Sequence, residues 1–305
     1  MPKSKSLLIV NPNADLGQAW RWASDLRPLV EEYGGADWTG TVYPTHAIQL
    51  ARQAGEEGYE MVIAVGGDGT VHEVINGLMQ VPPERRPRLG VVPLGTGNDF
   101  AHAAGINTIS ALAVKQIFTS KPHRIDIGVI HDAHRRTEYF DNTLGIGFDA
   151  TVTIRSRSLT FTRGFMRYLI AVLQTILLNH DAAHLQVKSD LENWDEEMLM
   201  LVLCNGPREG GGFLVAPDAS INDGVLHYAG VRKVSRLMML RLVPEVMRGT
   251  HGRFRQVRMG QCHHITIQSD RPLYIHADGE IFAGFGVDER QLTIDIIPGA
   301  IELVN

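Results

Sequence analysis

Short apolar runs alternate with helical patterns through the first third of the chain. SLLIV (6–10) leads into a helical stretch within 14–33, and GTVYP (40–44) into a helix from about Thr45. MVIAV (61–65) leads into a helix from about Thr70, and LGVVP (89–93) into one beyond Gly97. Strand then helix, repeated in this way, predicts a parallel sheet with helices on both faces. The Thr45 hydroxyl is expected to cap its helix by accepting one of the first-turn N–H groups.

After about residue 125 the pattern changes to longer β-type runs divided by turn signals. RIDIGVI (124–130), EYFDNTLGIGF (138–148), MLMLVLCN (198–205), GVLHYAGV (224–231), HHITIQS (263–269) and QLTIDII (291–297) read as strands. This half predicts a mostly antiparallel sandwich or barrel. The expected division is therefore an α/β domain over 1–128, which the last strand at about 296–305 could complete, and a β-rich domain over 129–295.

Composition fits that picture and narrows it. The 305 residues are 44% hydrophobic and 21% charged, as in ordinary soluble domains. The net charge of −5 gives no electrostatic reason to expect a nucleic-acid partner. Cys204 and Cys262 lie far apart without metal-site spacing, which favours core positions and a reducing cytoplasm over a disulfide framework. The apolar run before Asn11 is too short for an export signal. The most apolar helix candidate, 164–178, is interrupted by Arg167, Gln174 and Thr175, so no membrane-spanning helix is expected.

Candidate chemistry gathers at two glycine-rich turns. GGDGT (66–70) and GTGND (95–99) each follow a strand and precede a helix. Backbone N–H groups and the positive end of a helix dipole there can receive phosphate. In a parallel sheet the two turns would lie side by side at the carboxyl ends of neighbouring strands, where such sheets bind ligands. Thr70 and Thr96 can donate hydroxyl hydrogen bonds. Asp68 would repel a phosphate directly, so its presence argues for Mg²⁺ between the two, with Asp99 able to share the task. GIGFDA (145–150) matches a dinucleotide fingerprint but lies in the β-rich half, and is read as a structural turn. No G-x-x-x-x-G-K-[ST] loop is present.

Five segments together resemble one family. VGGDGTVHEVINGL (65–78), PLGTGNDFAHAAGI (93–106), DNTLGIGFDA (141–150), GGGFLVAPDASINDGVL (210–226) and ADGE (277–280) are similar to the bacterial diacylglycerol kinase and sphingosine kinase family of soluble lipid kinases. NPNADLG (11–17) is a looser match to that family's first phosphate loop. The resemblance implies a NAD kinase-like nucleotide-binding domain followed by a β-sandwich, and transfer of the γ-phosphate of ATP to a lipid hydroxyl. It implies nucleotide contacts from Gly66, Gly67, Asp68, Gly69, Thr70, Glu73, Gly95, Thr96, Asn98 and Asp99, with Asn11 and Thr41 as looser matches. It further implies a structural Mg²⁺ at Ser220, Asp223 and Val225, the last through its carbonyl. Glu280 is the implied general base, with Asp278 beside it. Phosphoryl transfer needs an in-line hydroxyl, balanced charge and a carboxylate to take the proton. Glu280 is assigned that carboxylate, with Asp68 and Asp99 on catalytic Mg²⁺ or its waters; the reverse assignment of Asp68 and Glu280 stays open.

Other features carry weaker readings. The segment 232–258 holds eight Lys or Arg against one acid, Glu245, interleaved with Leu237, Met238, Met239, Leu240 and Leu242. It could dock on anionic headgroups or cover the sandwich with a solvated basic face. RSRSLTFTRGFMRYL (155–169) poses the same choice. His131, His134, His263 and His264 lack acidic or cysteine partners at ligand spacing and are read as surface or strand residues. The expected setting is the cytoplasmic face of a membrane, with a homodimer conceivable through an exposed edge of the β-rich domain. The rival functions are a kinase of a soluble hydroxylated acceptor and a nucleotide sensor without turnover.

Overall fold

The computed structural model describes residues 5–17, 19–159, 162 and 164–305. It divides into two compact units, one running to Asp126 and including Gly299–Asn305, the other Ile127–Pro298.

The first unit follows the strand–helix rhythm. Its elements are β1 (Ser6–Val10), α1 (Ala19–Glu32), β2 (Asp37–Gly40), α2 (His46–Glu56), β3 (Met61–Gly66), α3 (Asp68–Leu78), β4 (Arg88–Pro93), α4 (Asp99–Ala103) and α5 (Ser110–Thr119). The strands pair in parallel in the order β2-β1-β3-β4, and Leu303 and Val304 at the chain's end add beside β4. β1 and β3 are buried along their whole length, as strands covered on both faces must be. Leu8, Val10, Ile63, Val65 and Val92 pack with Leu26 and Val30 of α1 and Val114 and Ile117 of α5.

One strand differs from its expected place. The sequence puts a strand at GTVYP, but β2 stops at Gly40, and Val42, Tyr43 and Pro44 form an exposed loop. The register decides this: Asp37–Gly40 pair with Leu7–Val10, and β1 has no further residue to offer. The Thr45 expectation is also overturned. Thr45 has φ 71° and makes no side-chain cap; the α2 N-terminus is capped from α3, where the Glu73 carboxylate accepts from Thr45 N–H (2.9 Å) and Ala47 N–H (3.1 Å).

The second unit is built on antiparallel pairing. It contains β5 (His123–Asp132, entering from the first unit), β6 (Thr137–Phe140), β7 (Thr143–Gly147), α6 (Phe148–Ser158), α7 (Gly164–Leu178), β8 (Ala183–Ser189) and β9 (Asn193–Cys204). Then come β10 (Leu226–Arg232), α8 (Arg236–Met247), β11 (Val257–Cys262), β12 (His264–Ser269), β13 (Ile275–Ala277), β14 (Glu280–Ala283) and β15 (Gln291–Val304), whose residues from Gly299 on belong to the first unit. The run 138–148, read as one strand, breaks at Asp141–Asn142 into β6 and β7, and GIGFDA is a strand-to-helix junction with Gly147 at φ 79°. One core lies among the strands around Leu144, Leu201, Ile265 and Ile294. The other lies beneath α7 and α8, around Val172, Ile176, Met239 and Leu242. Both cysteines are buried free thiols, as expected of small core residues. Among the described residues no helix is long and apolar enough to cross a membrane.

Candidate active site

In the first unit Asn11, Thr41, Gly66–Thr70 and Gly95–Asp99 all stand at the carboxyl ends of the parallel strands. Asn11 Nδ2 donates to the Thr70 hydroxyl (3.1 Å), and Thr41 N–H to the Val10 carbonyl (2.9 Å), so β1, β2 and the start of α3 are tied at one edge. The glycine turns touch each other. A Cβ on Gly67 would lie 3.0 Å from Gly95 Cα, and one on Gly95 would lie 2.6 Å from Gly67 Cα. Glycine is therefore demanded here by backbone packed on backbone. Asn98, at φ 51°, closes the second turn by accepting from Gly95 N–H and donating to the Gly95 carbonyl, both at 2.9 Å. Thr96 is exposed at its tip.

Asp68 opens α3, and its Oδ1 accepts from Phe100 N–H (3.2 Å) in the first turn of α4. Asp68 and Asp99 both face Gly97: a Cβ there would stand 3.0 Å from Asp68 Oδ2 and 3.4 Å from Asp99 Oδ2. Two converging carboxylates form an oxygen-donor set suited to a hard divalent cation, so the residues present fit Mg²⁺. Glu73, one turn further along α3, instead has both oxygens on the α2 amides described above.

In the second unit the ADGE segment is a hairpin. Ala277 pairs with Glu280, and the loop residues Asp278 (φ 50°) and Gly279 (φ 84°) both have positive φ, the requirement of a type I′ turn. The Asp278 carboxylate accepts three backbone N–H groups, from Asp141, Asn142 and Thr143, each at 2.9 Å. It thus anchors the turn to the start of β7. Glu280, at the other side of the turn, is 45% exposed and pairs with Arg157 of α6 (2.7 Å), which also donates to the Gly279 carbonyl (2.6 Å). The sequence reading missed Arg157, because a residue 123 positions away carries no local signal.

Asp223 is held in its own loop. Its Oδ1 accepts from Val225 N–H (3.1 Å), and its Oδ2 lies 3.0 Å from His227 Nε2. The Ser220 hydroxyl donates to Asn222 Oδ1 (2.7 Å), and the Ser220 and Val225 carbonyls are oxygens of the kind suited to a cation. His227 is a second partner that sequence reading did not find.

Beneath α7 and α8 lies an apolar cavity of about 70 Å³, lined by Val152, Val172, Ile176, Phe213, Met239 and Leu242, with Asp149 and Tyr168 as its polar residues. Asp149 and Tyr168 continue into a polar cluster with Glu209 and His276, in which Asp149, Glu209 and His276 are buried and Tyr168 half-buried.

The basic segment 232–258 proves to be largely ion-paired. Arg232 and Arg258 pair with Glu196, Lys233 with Glu197, and Arg241 and Arg253 with Glu245. Met239 is core, while Leu237 and Leu240 point outward. Thr160, Phe161 and Arg163 of the other basic segment lie outside the described residues. His263 and His264 do have acidic partners, Asp190 and Asp295, each at 2.7 Å, brought together by strand pairing rather than by spacing.

Comparison with known proteins decides the family. Residues 5–130 match the model described as diacylglycerol kinase catalytic domain, and 142–305 match that described as YegS C-terminal NAD kinase beta sandwich-like domain. The chain belongs to the diacylglycerol kinase family of lipid kinases. A Chromohalobacter salexigens protein named "Probable lipid kinase YegS-like" is 34% identical over 243 residues, covering 76% of this chain and 73% of its own. The Bacillus subtilis "Diacylglycerol kinase" is 29% identical over 239 residues, 77% of this chain and 75% of that one. A solved Bacillus anthracis chain described as a diacylglycerol kinase shares the fold, with a TM-score of 0.73 at 21% identity over 100% of this chain and 97% of the other. For a lipid kinase of this family, the parallel N-terminal sheet and the β-rich C-terminal part are both as the sequence implied.

Proposed function

We propose that this chain transfers the γ-phosphate of ATP to a hydroxyl of a membrane lipid, with diacylglycerol the first acceptor to test. The observation that carries the reading is the pair of glycine turns packed Cα on Cα, with Asp68 and Asp99 converging beside them, in a chain whose family phosphorylates lipids. The turns, with Thr70, Thr96 and the first amides of α3, hold the triphosphate. Asp68 and Asp99 hold Mg²⁺, directly or through water, and the ion supplies charge balance on the phosphates when bound.

Glu280 takes the proton of the acceptor hydroxyl, and Arg157 fixes its carboxylate. Asp278 serves as an anchor: a carboxylate receiving three backbone N–H bonds is better suited to hold a turn than to shuttle a proton. Asp223, with the carbonyls of Ser220 and Val225, is a second, structural Mg²⁺ site.

The cavity under α7 and α8 receives an acyl chain. At about 70 Å³ it is far below the roughly 300 Å³ of a small-ligand pocket, so these helices part to admit it. Their outer faces expose Leu173, Leu177, Leu178, Leu237 and Leu240, which supports docking on the cytoplasmic bilayer surface by apolar contact. The ion-paired arginines and lysine contribute less.

The test is transfer from γ-labelled ATP with Mg²⁺ to diacylglycerol, sphingoid bases, ceramide and phosphatidylglycerol in mixed micelles. Label in one lipid, lost in the Asp68→Asn and Glu280→Gln variants, supports the reading. Label only in water-soluble acceptors, or ATP binding with no transfer, removes it.

A further inference from the structure

The polar cluster at the cavity has a hydrogen-bond order that its geometry fixes. Gly279 N–H points at His276 Nδ1 (3.1 Å), so that nitrogen accepts and the ring proton belongs on Nε2. Nε2 lies 2.8 Å from Asp149 Oδ2 and 3.3 Å from Glu209 Oε1. The Tyr168 hydroxyl lies 2.8 Å from Asp149 Oδ1 and 2.6 Å from Glu209 Oε1.

Burial lowers the pKa of His276, while the carboxylates of Glu209 and Asp149 raise it, so the two carboxylates hold the Nε2 proton firmly. Burial and the Asp149 charge hold the Glu209 carboxyl above its usual range. The Tyr168 hydroxyl is shared between Asp149 and Glu209, His276 Nε2–H donates to Asp149, and Gly279 N–H donates to His276 Nδ1.

Nε2 of His276, Oδ2 of Asp149 and a Glu209 oxygen lie within 4.8 Å of one another, a spacing a cation could use. The ring tautomer argues against one, because an Nε2 bearing hydrogen has no lone pair to give. The sequence makes room for the hydrogen-bonded arrangement instead. A Cβ on Gly145 would collide with both Asp149 Oδ2 and His276 Nε2.

We propose that His276 is a positioning residue for lipid phosphorylation: through Nδ1 it holds the Gly279 amide, and so sets the Asp278–Glu280 turn against α6 and α7. The chain of bonds runs from Tyr168, which lines the cavity, through Asp149 and His276 to the residue before Glu280. Filling of the cavity and placement of the proton acceptor are thereby one structural event. The inference rests on the reading of Glu280 as the base.

The two amide substitutions of His276 separate the two ends of the ring. Asn presents an acceptor near the Nδ1 position and loses the Asp149 bond; Gln reaches the Nε2 position and loses the Gly279 bond. His276→Gln is expected to lower kcat about 10²-fold, with the KM for ATP unchanged and faster amide hydrogen exchange across 277–281. His276→Asn is expected to keep slow exchange and most of kcat. A purely structural role predicts the reverse order, because Asn leaves the buried Asp149 charge short of a donor, and that order would overturn the proposal. Equal kcat and exchange in His276→Gln and the wild type would overturn it as well. Should either variant melt below assay temperature, the comparison is made in the Asp149→Asn background, which has no Asp149 charge to strand. If the wild-type chain labels no lipid, the lipid-kinase reading fails by itself, and hydrogen exchange still decides whether His276 holds the turn.

Discussion

Asp68 and Asp278 both stand on glycine-flanked turns, yet the two turns are made differently. Asp68 opens a helix after a parallel strand, and most of what shapes its surroundings lies in two short segments, 66–70 and 95–99, that neighbouring strands bring together. Asp278 sits at the tip of a two-residue hairpin. Its carboxylate is spent on the amides of 141–143, its neighbour Glu280 is held from α6, and Gly279 is held by a ring whose far side leans on Asp149 and Glu209. A turn at the end of a parallel strand inherits its place from the sheet; a hairpin tip must be tied down by side chains.

The largest test of this contrast is at the two carboxylates. Glu280→Gln keeps the hairpin and removes the proton acceptor, so kcat should fall about 10²- to 10⁴-fold while ATP affinity is unchanged. An effect on ATP affinity of similar size would reverse the assignment with Asp68. Asp68→Asn keeps an oxygen for Phe100 N–H, so the melting temperature should hold, while turnover falls about 10²-fold and higher Mg²⁺ partly restores it.

The glycines give a smaller effect that separates the plans. Gly67→Ala drives a methyl to 3.0 Å from Gly95 Cα, an overpacking that costs about 1–3 kcal/mol and weakens ATP binding. Gly279→Ala meets no atom within 4 Å and pays only for φ 84°, about 1–2 kcal/mol. It should leave ATP binding intact. Denaturant titrations with ATP-binding isotherms distinguish the two.

The smallest effect concerns acid. In the second unit the Thr250 hydroxyl and Arg241, with Arg253, hold the Glu245 carboxyl at about 2. Its folded pKa is depressed, so its stabilisation is full above the ordinary value of 4.5 and is lost as pH falls toward about 2. Melting temperatures should drop more steeply between pH 4.5 and 2 in the wild type than in Glu245→Gln.

Much of the first unit was legible because its signals are local. Apolar runs gave β1, β3 and β4, and the glycine turns announced themselves by composition. β2 was read three residues late, since its place is set by where β1 ends. Thr45 looked like a cap by residue type, but a carboxylate 28 positions away does that work better. In the second unit the longer apolar strands were read, while β8, β11, β13 and β14 were not, and ADGE was found by resemblance. Its Asp-Gly pair, lying between apolar runs, was a hairpin signal that went unused.

The sequence by itself determined the alternation of strands and helices in the first unit, which turns lack side chains, and the family to which the chain belongs, because these are carried by short local segments. Only the tertiary structure decided that Glu73 caps α2, that Asp278 is an anchor, that Arg157 grips Glu280, and that Gly145 clears space for a histidine 131 positions further on. Hydrogen bonds and ion pairs act over about 3 Å in space whatever the separation along the chain. Their partners are chosen by the packing of strands that no local pattern records.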